Sequence, residues 1–175
     1  MSDKVQILRN LQDDAHQNHF TITFTPLSAL SGVENGEIAY RIQNVSIPGS
    51  GSEKYPIHHK GDFIEKTTPK NNMTKEISFT FRVDQNWYIY EYMKSWKNLV
   101  FNTYSGTKDT PDELTKVPVI ITVEDANDNT KATWTFEGCR VTNIGDISLD
   151  YSSGEPITVD VTLSFDAMND MDLLP

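Results

Sequence analysis

Apolar and polar residues alternate strictly along Phe20-Thr21-Ile22-Thr23-Phe24-Thr25, and Pro26 ends the run. A period of two predicts a half-buried strand. Lys75 to Val83 repeats the pattern more strongly, with Ile77, Phe79, Phe81 and Val83 on one face and Glu76, Ser78, Thr80 and Arg82 on the other. Val117 to Glu124 and Thr130 to Glu137 alternate as well, and Asp125 to Asn129 between them makes the pair a hairpin. Ala132, Trp134 and Phe136 share the buried face of its second strand. The last long run is Pro156 to Phe165, where Ile157, Val159, Val161, Leu163 and Phe165 alternate with Thr158, Asp160, Thr162 and Ser164. Two weaker strands are expected at Ile38 to Ile47, after a turn over Ser31 to Gly36, and at Asp146 to Tyr151, before a turn over Ser152 to Glu155.

Helical spacing occurs twice. Val5, Leu8 and Leu11 mark a short helix over residues 3–15 with Asp3 as its N-cap, too short to stand without docking. Ile89, Met93, Trp96 and Val100 mark a longer one from Trp87 to Phe101, capped by Asp84 or Asn86. Residues 53–74 are polar and basic, with faint strand signals at Tyr55 to His58 and Asp62 to Lys66; so long a stretch is either functional or disordered in isolation. There is no internal repeat. The sum is a mainly β, antiparallel domain with one flanking helix.

A chain of 175 residues and 19.9 kDa fits one domain with a core of its own. Its 37% apolar content is lean and suits thin β-layers or a surface completed by partners. Net charge is −10 and unevenly placed: residues 109–175 carry 14 acids against 3 bases, while residues 1–108 carry 11 against 12. Lys54, Lys60, Lys66, Lys70 and Lys75, with His58 and His59, make residues 50–74 a basic loop. The two regions are either two solvated surfaces or patches that meet on neighbouring copies. The acidic balance argues against sequence-independent DNA binding. A lone cysteine rules out an intrachain disulfide, and the absence of a signal core or long apolar run leads one to expect a cytosolic, soluble product without a membrane anchor.

Catalytic chemistry is scarce. Cys139 has no histidine near it in sequence and reads as a buried structural thiol. His58 and His59, if extended, point to opposite faces and make poor joint metal ligands. Asp125-x-Asn127-x-Asn129 resembles the start of a calcium loop, but Thr130 replaces the required glycine and Phe136 the required glutamate, so a hairpin turn explains it better. Asn44-Val45-Ser46 and Asn72-Met73-Thr74 match the glycosylation triplet with nothing to direct the chain to a secretory route. An enzyme is not expected.

The stretch Trp134-Thr-Phe-Glu-Gly138-Cys-Arg-Val-Thr142-Asn143-Ile144-Gly145-Asp146-Ile-Ser-Leu-Asp150-Tyr151, followed by Ile157 to Asp166, resembles the tail tube proteins of contractile phages. Those proteins end in a strand, a glycine, a Thr-Asn-hydrophobic-Gly turn, a strand closing in Asp-aromatic and a long alternating strand. Ala29-Leu30 to Pro48-Gly49, the basic loop, the Phe79/Phe81 strand and the helix bearing Trp96 extend the resemblance over about Phe20 to Asp166. A segment before Phe20 and a tail after Asp166 depart from it.

The resemblance implies a β-sandwich or split barrel whose sheets join between subunits into a ring-wide barrel. Hexameric rings would stack into the inner tube of a contractile tail, a conduit for DNA ejection, as in the related type VI secretion tubes and R-type bacteriocins. It implies no catalytic site, metal or cofactor. Partners would be sister copies, the tail sheath, the baseplate and tail terminator proteins, with genome DNA passing unbound. The place would be the virion tail, after assembly in the host cytoplasm. In this frame residues 1–19 form an N-terminal assembly segment, 20–166 a single tube domain with helix 86–101, and 167–175 a C-terminal tail. Lys54, His58, His59, Lys60, Lys66 and Lys70 are the expected contacts between rings or subunits, and Asp146, Asp150, Asp160 and Asp166 the acidic partner or lumen surface. The polar faces Asp160/Thr162/Ser164 and Glu76/Ser78/Thr80 supply either the lumen wall or the side facing the sheath, and a net-negative wall would repel phosphate. A specialised tube-like ring protein of the baseplate or tail end, or of a phage-derived injection system, is an alternative. The rival reading is a stand-alone β-sandwich module that binds sugar or protein through Trp87, Tyr88, Tyr90 and Tyr92.

Overall fold

The computed structural model describes residues 19–25, 27, 30, 35–49, 51–71, 73–102, 105–108, 110–125 and 127–173. The helix expected over residues 3–15 and most of the assembly segment lie outside them. In chain order the elements are β1 (Phe20–Phe24), α1 (Asn35–Arg41), β2 (Ile42–Ser46), β3 (Ser52–His59), β4 (Asp62–Asn71), β5 (Glu76–Arg82), α2 (Tyr88–Val100), α3 (Asp112–Thr115), β6 (Val117–Glu124), β7 (Thr130–Ile144), β8 (Thr158–Ser164) and β9 (Ala167–Leu173). The domain is mainly antiparallel β, as the alternation predicts.

Seven strands join in one folded sheet, and β3 with β4 forms a separate two-stranded ribbon. The fold line is β7. Its first half pairs with β6 on one side and β9 on the other, and β6 continues to β1. Its second half, from Arg140 to Ile144, pairs with β8, which continues to β5 and β2. The two halves face one another across a shared core. Phe24 of β1 lies 5.4 Å from Phe79 of β5, and Phe136 of β7 lies 5.1 Å from Phe165, so the rings bridge the layers.

The corner depends on one glycine. Gly138 has a φ of 68°, which breaks the pleat in the middle of β7, and the Asp166 side chain packs directly against its Cα. Asp166 is held there by the Lys116 ammonium at 2.7 Å, while its N–H donates to the Glu137 carbonyl at 2.9 Å. Gly138→Ala would strain the backbone and push its Cβ into that carboxylate. The expected loss is about 1–3 kcal/mol, or a melting temperature about 5 °C lower by calorimetry. An unchanged melting temperature would mean that the bend does not need glycine.

The core is the one read from the alternation. Ile77, Phe79 and Phe81 of β5 and Val159, Val161 and Leu163 of β8 are all buried, while their neighbours Glu76, Thr158 and Asp160 are exposed. On α2, Ile89, Met93 and Trp96 are buried as the helical spacing requires, and Tyr92 joins them, its hydroxyl accepting the Leu27 N–H. Asp84 is the cap. Its carboxylate accepts the N–H groups of Asn86, Tyr88 and Ile89 at 3.1–3.2 Å and stabilises a turn that holds Trp87 at a φ of 61°.

Burial would raise the Asp84 pKa, but the backbone N–H donors outweigh it and hold the carboxyl below its usual value. A depressed pKa means that this stability is present above the unfolded value of about 4 and is lost as pH falls through the folded one. Asp84→Ala should cost about 1–2 kcal/mol at neutral pH and flatten the acid limb of the stability profile measured by denaturant titration. A variant with the wild-type acid limb would exclude Asp84 as its source.

Several expectations fail. Ile38 to Arg41 is not strand: α1 runs from Asn35 to Arg41, with Glu37 in its first turn, Arg41 in its last and Ile38 buried, and β2 starts only at Ile42. Asp146 to Tyr151 is not strand either. Residues 145–157 pair with no strand and form the loop from β7 to β8, tied to the sheet at its ends by the Gly145 N–H to the Asp160 carbonyl and the Val83 N–H to the Ile157 carbonyl. Thr142 to Ile144 belongs to β7 rather than to a turn, with a register slip between Val141 and Asn143. The tail after Asp166 forms β9, and α3 follows Pro111 where only a loop was expected.

Candidate assembly site

β3 and β4 give the basic stretch a definite shape. They pair from Ser52↔Asn71 to His59↔Asp62 and turn at Lys60 and Gly61, whose φ values of 47° and 94° suit a tight hairpin. They contact chiefly one another and project from the sheet as an arm. Lys54 pairs with Glu65 at 3.7 Å on an exposed face, which adds little stability. The His58 ring stacks at 5.9 Å from Phe63. His59 stands opposite Asp62, Lys66 opposite Tyr55, and Lys70 falls near the end of β4. All six predicted basic positions therefore share one ribbon.

The acidic set divides. Asp146, Asp150 and Asp160 border a groove at one end of the sheet, completed by Glu155, Leu149 and Tyr151. Asp150 accepts the Ser152 N–H and hydroxyl at 2.9 and 2.8 Å, which lowers its pKa and fixes the turn. Asp160 accepts the Thr80 hydroxyl at 2.7 Å. Asp166 is elsewhere, bound to Lys116 at the corner beside Gly138. Tyr151 is fully exposed and Leu149 is 73% exposed, an apolar contribution that the charge pattern alone did not suggest.

Asp125, a third carboxylate with a lowered pKa after Asp84 and Asp150, belongs to the β6–β7 turn. The N–H groups of Asn129 and Asn127 bind it and bring its pKa to about 2. The apparent calcium pattern is thus a capped hairpin turn. Cys139 is fully buried, and desolvation pushes its thiol up to about 12, as an inert structural residue requires. Among the described residues no group of three His, Cys, Asp or Glu side chains could hold a metal, and no helix is long and apolar enough to cross a membrane.

The two polar faces left open by the sequence are one face. Glu76↔Ser164, Ser78↔Thr162, Thr80↔Asp160 and Arg82↔Thr158 stand opposite one another on β5 and β8, on the outer side of the same half-sheet. Arg140 on β7 adds its guanidinium, donating to the Ser164 hydroxyl at 3.1 Å. That half-sheet has two long edges without a further strand among the described residues, β2 and the Val141–Ile144 part of β7. Of the aromatic run at α2, Tyr92 goes into the core, while Trp87 and Tyr88 stay partly outside, at 38% and 53%.

Free sheet edges, a projecting arm and a charged groove, all around one closed core, are the geometry of a structural subunit. A family profile described as "Phage tail tube protein" matches residues 15–169, and the chain belongs to that family. It is accordingly a structural component of a phage tail. A search among curated proteins found no match. Among solved structures, the sheath/tube terminator of the PVC extracellular contractile injection system is similar with a TM-score of 0.63 at 13% identity, over 93% of this chain and 99% of that one. The tube-terminating cap of the anti-feeding prophage gives 0.61 at 13%, covering 94% of both. The PVC sheath–tube complex gives 0.59 at 13%, over 99% and 100%. At such identity these likenesses establish the fold.

Proposed function

We propose that this chain closes into hexameric rings that stack as the inner tube of a contractile tail, through which DNA is ejected. The observation that carries the proposal is the four-stranded half-sheet β7–β8–β5–β2, whose two long edges carry no further strand among the described residues. Its strands alternate in direction, so β2 and the end of β7 run opposite ways. Rotating copies about a common axis then sets β2 of one beside β7 of the next as an antiparallel pair, and a ring-wide barrel forms with no exposed edge.

The face bearing Ser78, Thr80, Thr142, Thr162 and Ser164 would line the bore. Its four charges balance, Glu76 and Asp160 against Arg82 and Arg140, so the acidic surplus of the chain lies elsewhere. A wall without surplus cations offers phosphate no gain from counterion release, and DNA passes without sticking. The structure takes no catalytic role in this reading. A sheath outside, a baseplate at one end and a terminator at the other are the partners it implies, in keeping with the assemblies from which the similar folds come.

Size measurement with negative-stain imaging of the purified chain tests this. Hollow rings or tubes are expected: long tubes for a repeating subunit, single rings for a specialised one near the tail end. Compact monomers at high concentration would refute the proposal and favour the binding module.

A further inference from the structure

Residues 146–151 have the sequence of a strand and the structure of a loop. Ile147, Leu149 and Tyr151 alternate with Asp146, Ser148 and Asp150 as regularly as the residues of any strand in the sheet. In the single chain they pair with nothing, and a hollow of about 760 Å³ lies between them and the other limb of the loop, residues 155–160. The obstacle is on that other limb. The β7–β8 ladder holds as far as the Gly145 N–H, which donates to the Asp160 carbonyl at 2.6 Å. Continued from there, it would lay Asp150 beside Glu155 and run onto Pro156, which has no N–H to give. A strand that repels its one neighbour and has no second does not hold.

Two edges show where a second neighbour fits. The edge that residues 146–151 would prolong is the Val141–Ile144 edge of β7, which carries no further strand among the described residues. Ile144 and Ile147 both pack, half-buried, on the margin of the core, and one bulge at Gly145–Asp146 accounts for that three-residue step. Alternation from Ile147 then puts the exposed Leu149 and Tyr151 on the same side. Beside this row, between α2 and the edge, a cleft of about 300 Å³ opens onto Tyr90, Ile144 and Ile147, room for one or two aliphatic side chains. At the far edge of the half-sheet β2 has the matching defect. Ile42, Val45 and, just after it, Ile47 are half-buried against the core, while Gln43 and Asn44 are exposed. The arm leaves β2 at Ser46, beside Ser78, at the other end of the half-sheet, and takes no part.

Resting on the tube reading, we propose that residues 146–151 become a strand only in the assembled ring, where they extend β7 and receive β2 of the adjacent copy along their outer edge. The arriving row of Ile42, Val45 and Ile47 fills the cleft and covers Ile147 and Leu149. Antiparallel pairing sets the start of β2 at the Tyr151 end. Arg41, the last residue of α1, then reaches the Asp150 and Glu155 carboxylates that keep the loop from closing on itself. The neighbour removes the obstacle as it supplies the ladder. A free chain, meanwhile, presents no straight strand here for unrelated sheets to pair with.

Hydrogen exchange read by mass spectrometry on peptides spanning residues 146–151 tests this. In dilute free chain these amides should exchange as an open loop does, and in assembled material about 100-fold more slowly, as amides in a ladder do. Cross-linking identifies the neighbour. In a Gln43→Cys/Ser148→Cys double variant both new thiols stand at exposed positions, and Cys139 is buried and inert. Within one chain β5 and β8 lie between the two sites, roughly 14 Å at the usual strand spacing and beyond a short bis-maleimide. Assembled double variant should give a ladder of covalent oligomers that ends at the closed ring, and either single variant none. If the double variant does not assemble, exchange in the unmodified chain decides alone. Rings or tubes whose 146–151 amides exchange as fast as in the free chain, or an assembled double variant without a ladder, overturn the inference and leave the tube reading standing. An unmodified chain that forms neither rings nor tubes overturns both.

Discussion

Reversing Lys60, Lys66 and Lys70 to glutamate is expected to leave a folded, monomeric protein that cannot assemble. The fold survives because β3 and β4 contact chiefly each other, and no core residue belongs to them. The arm, residues 52–71, goes from four bases against three acids to one against six, while the net charge moves from −10 to −16 per chain, since each replacement subtracts two. At physiological salt the screening length is about 8 Å, short enough to mute distant acids but longer than a contact between docked surfaces. Like charges then face each other at every copy of the same interface, and a ring or stack multiplies the penalty. Circular dichroism should match the wild type, and sedimentation should show a single small species. Raising the salt toward 1 M, where screening acts over about 3 Å, should restore part of the assembly. A triple variant that forms normal rings or tubes by electron microscopy would remove the arm from the interface.

The second large effect is expected from Trp96→Ala. Trp96 is 1% exposed on α2, donates its indole N–H to the Thr115 carbonyl at 2.7 Å and meets the Tyr92 ring edge-on at 6.4 Å. It ties helix, sheet and the short α3 together. Truncation removes a large buried ring and a buried donor at once, and about 3–5 kcal/mol of stability should be lost. For a domain of this length that is on the order of 10 °C in melting temperature. Trp96→Phe should recover part of the packing but not the hydrogen bond, and so fall between the two. A loss below about 1 kcal/mol by denaturant titration would mean that α2 is peripheral to the core.

How far the sequence reached depended on whether a segment's environment repeats along the chain. β1, β5, β6 and β8 each have one face on the core, so their burial follows the pleat and their alternation is visible. The arm has no inner face in the isolated chain, because Ile57, Phe63 and Ile64 all remain exposed, and its period is therefore blurred. It showed only faint strand signals at Tyr55 to His58 and Asp62 to Lys66 for the same reason that it suits a partner. β9 was missed because acids interrupt its apolar positions, while its ladder comes from β7, thirty or more residues earlier in the chain. The acidic residues were found by charge counting, which identifies them but does not locate them: Asp166 proved to be a brace for Gly138, far from the groove that gathers the other three.

By itself the sequence determined the β character of the domain, the hydrophobic face of each main strand, the long helix that follows Asp84 and Asn86, and the inert place of Cys139. These follow from local periodicity and residue chemistry, which need no knowledge of distant neighbours. Tertiary structure alone decided that the two polar faces are one surface, that β7 bends at Gly138 to serve two layers, and that arm and groove lie at opposite ends of the same half-sheet. Those facts depend on strand order and register, and pairing between residues dozens of positions apart is set by how the whole core closes.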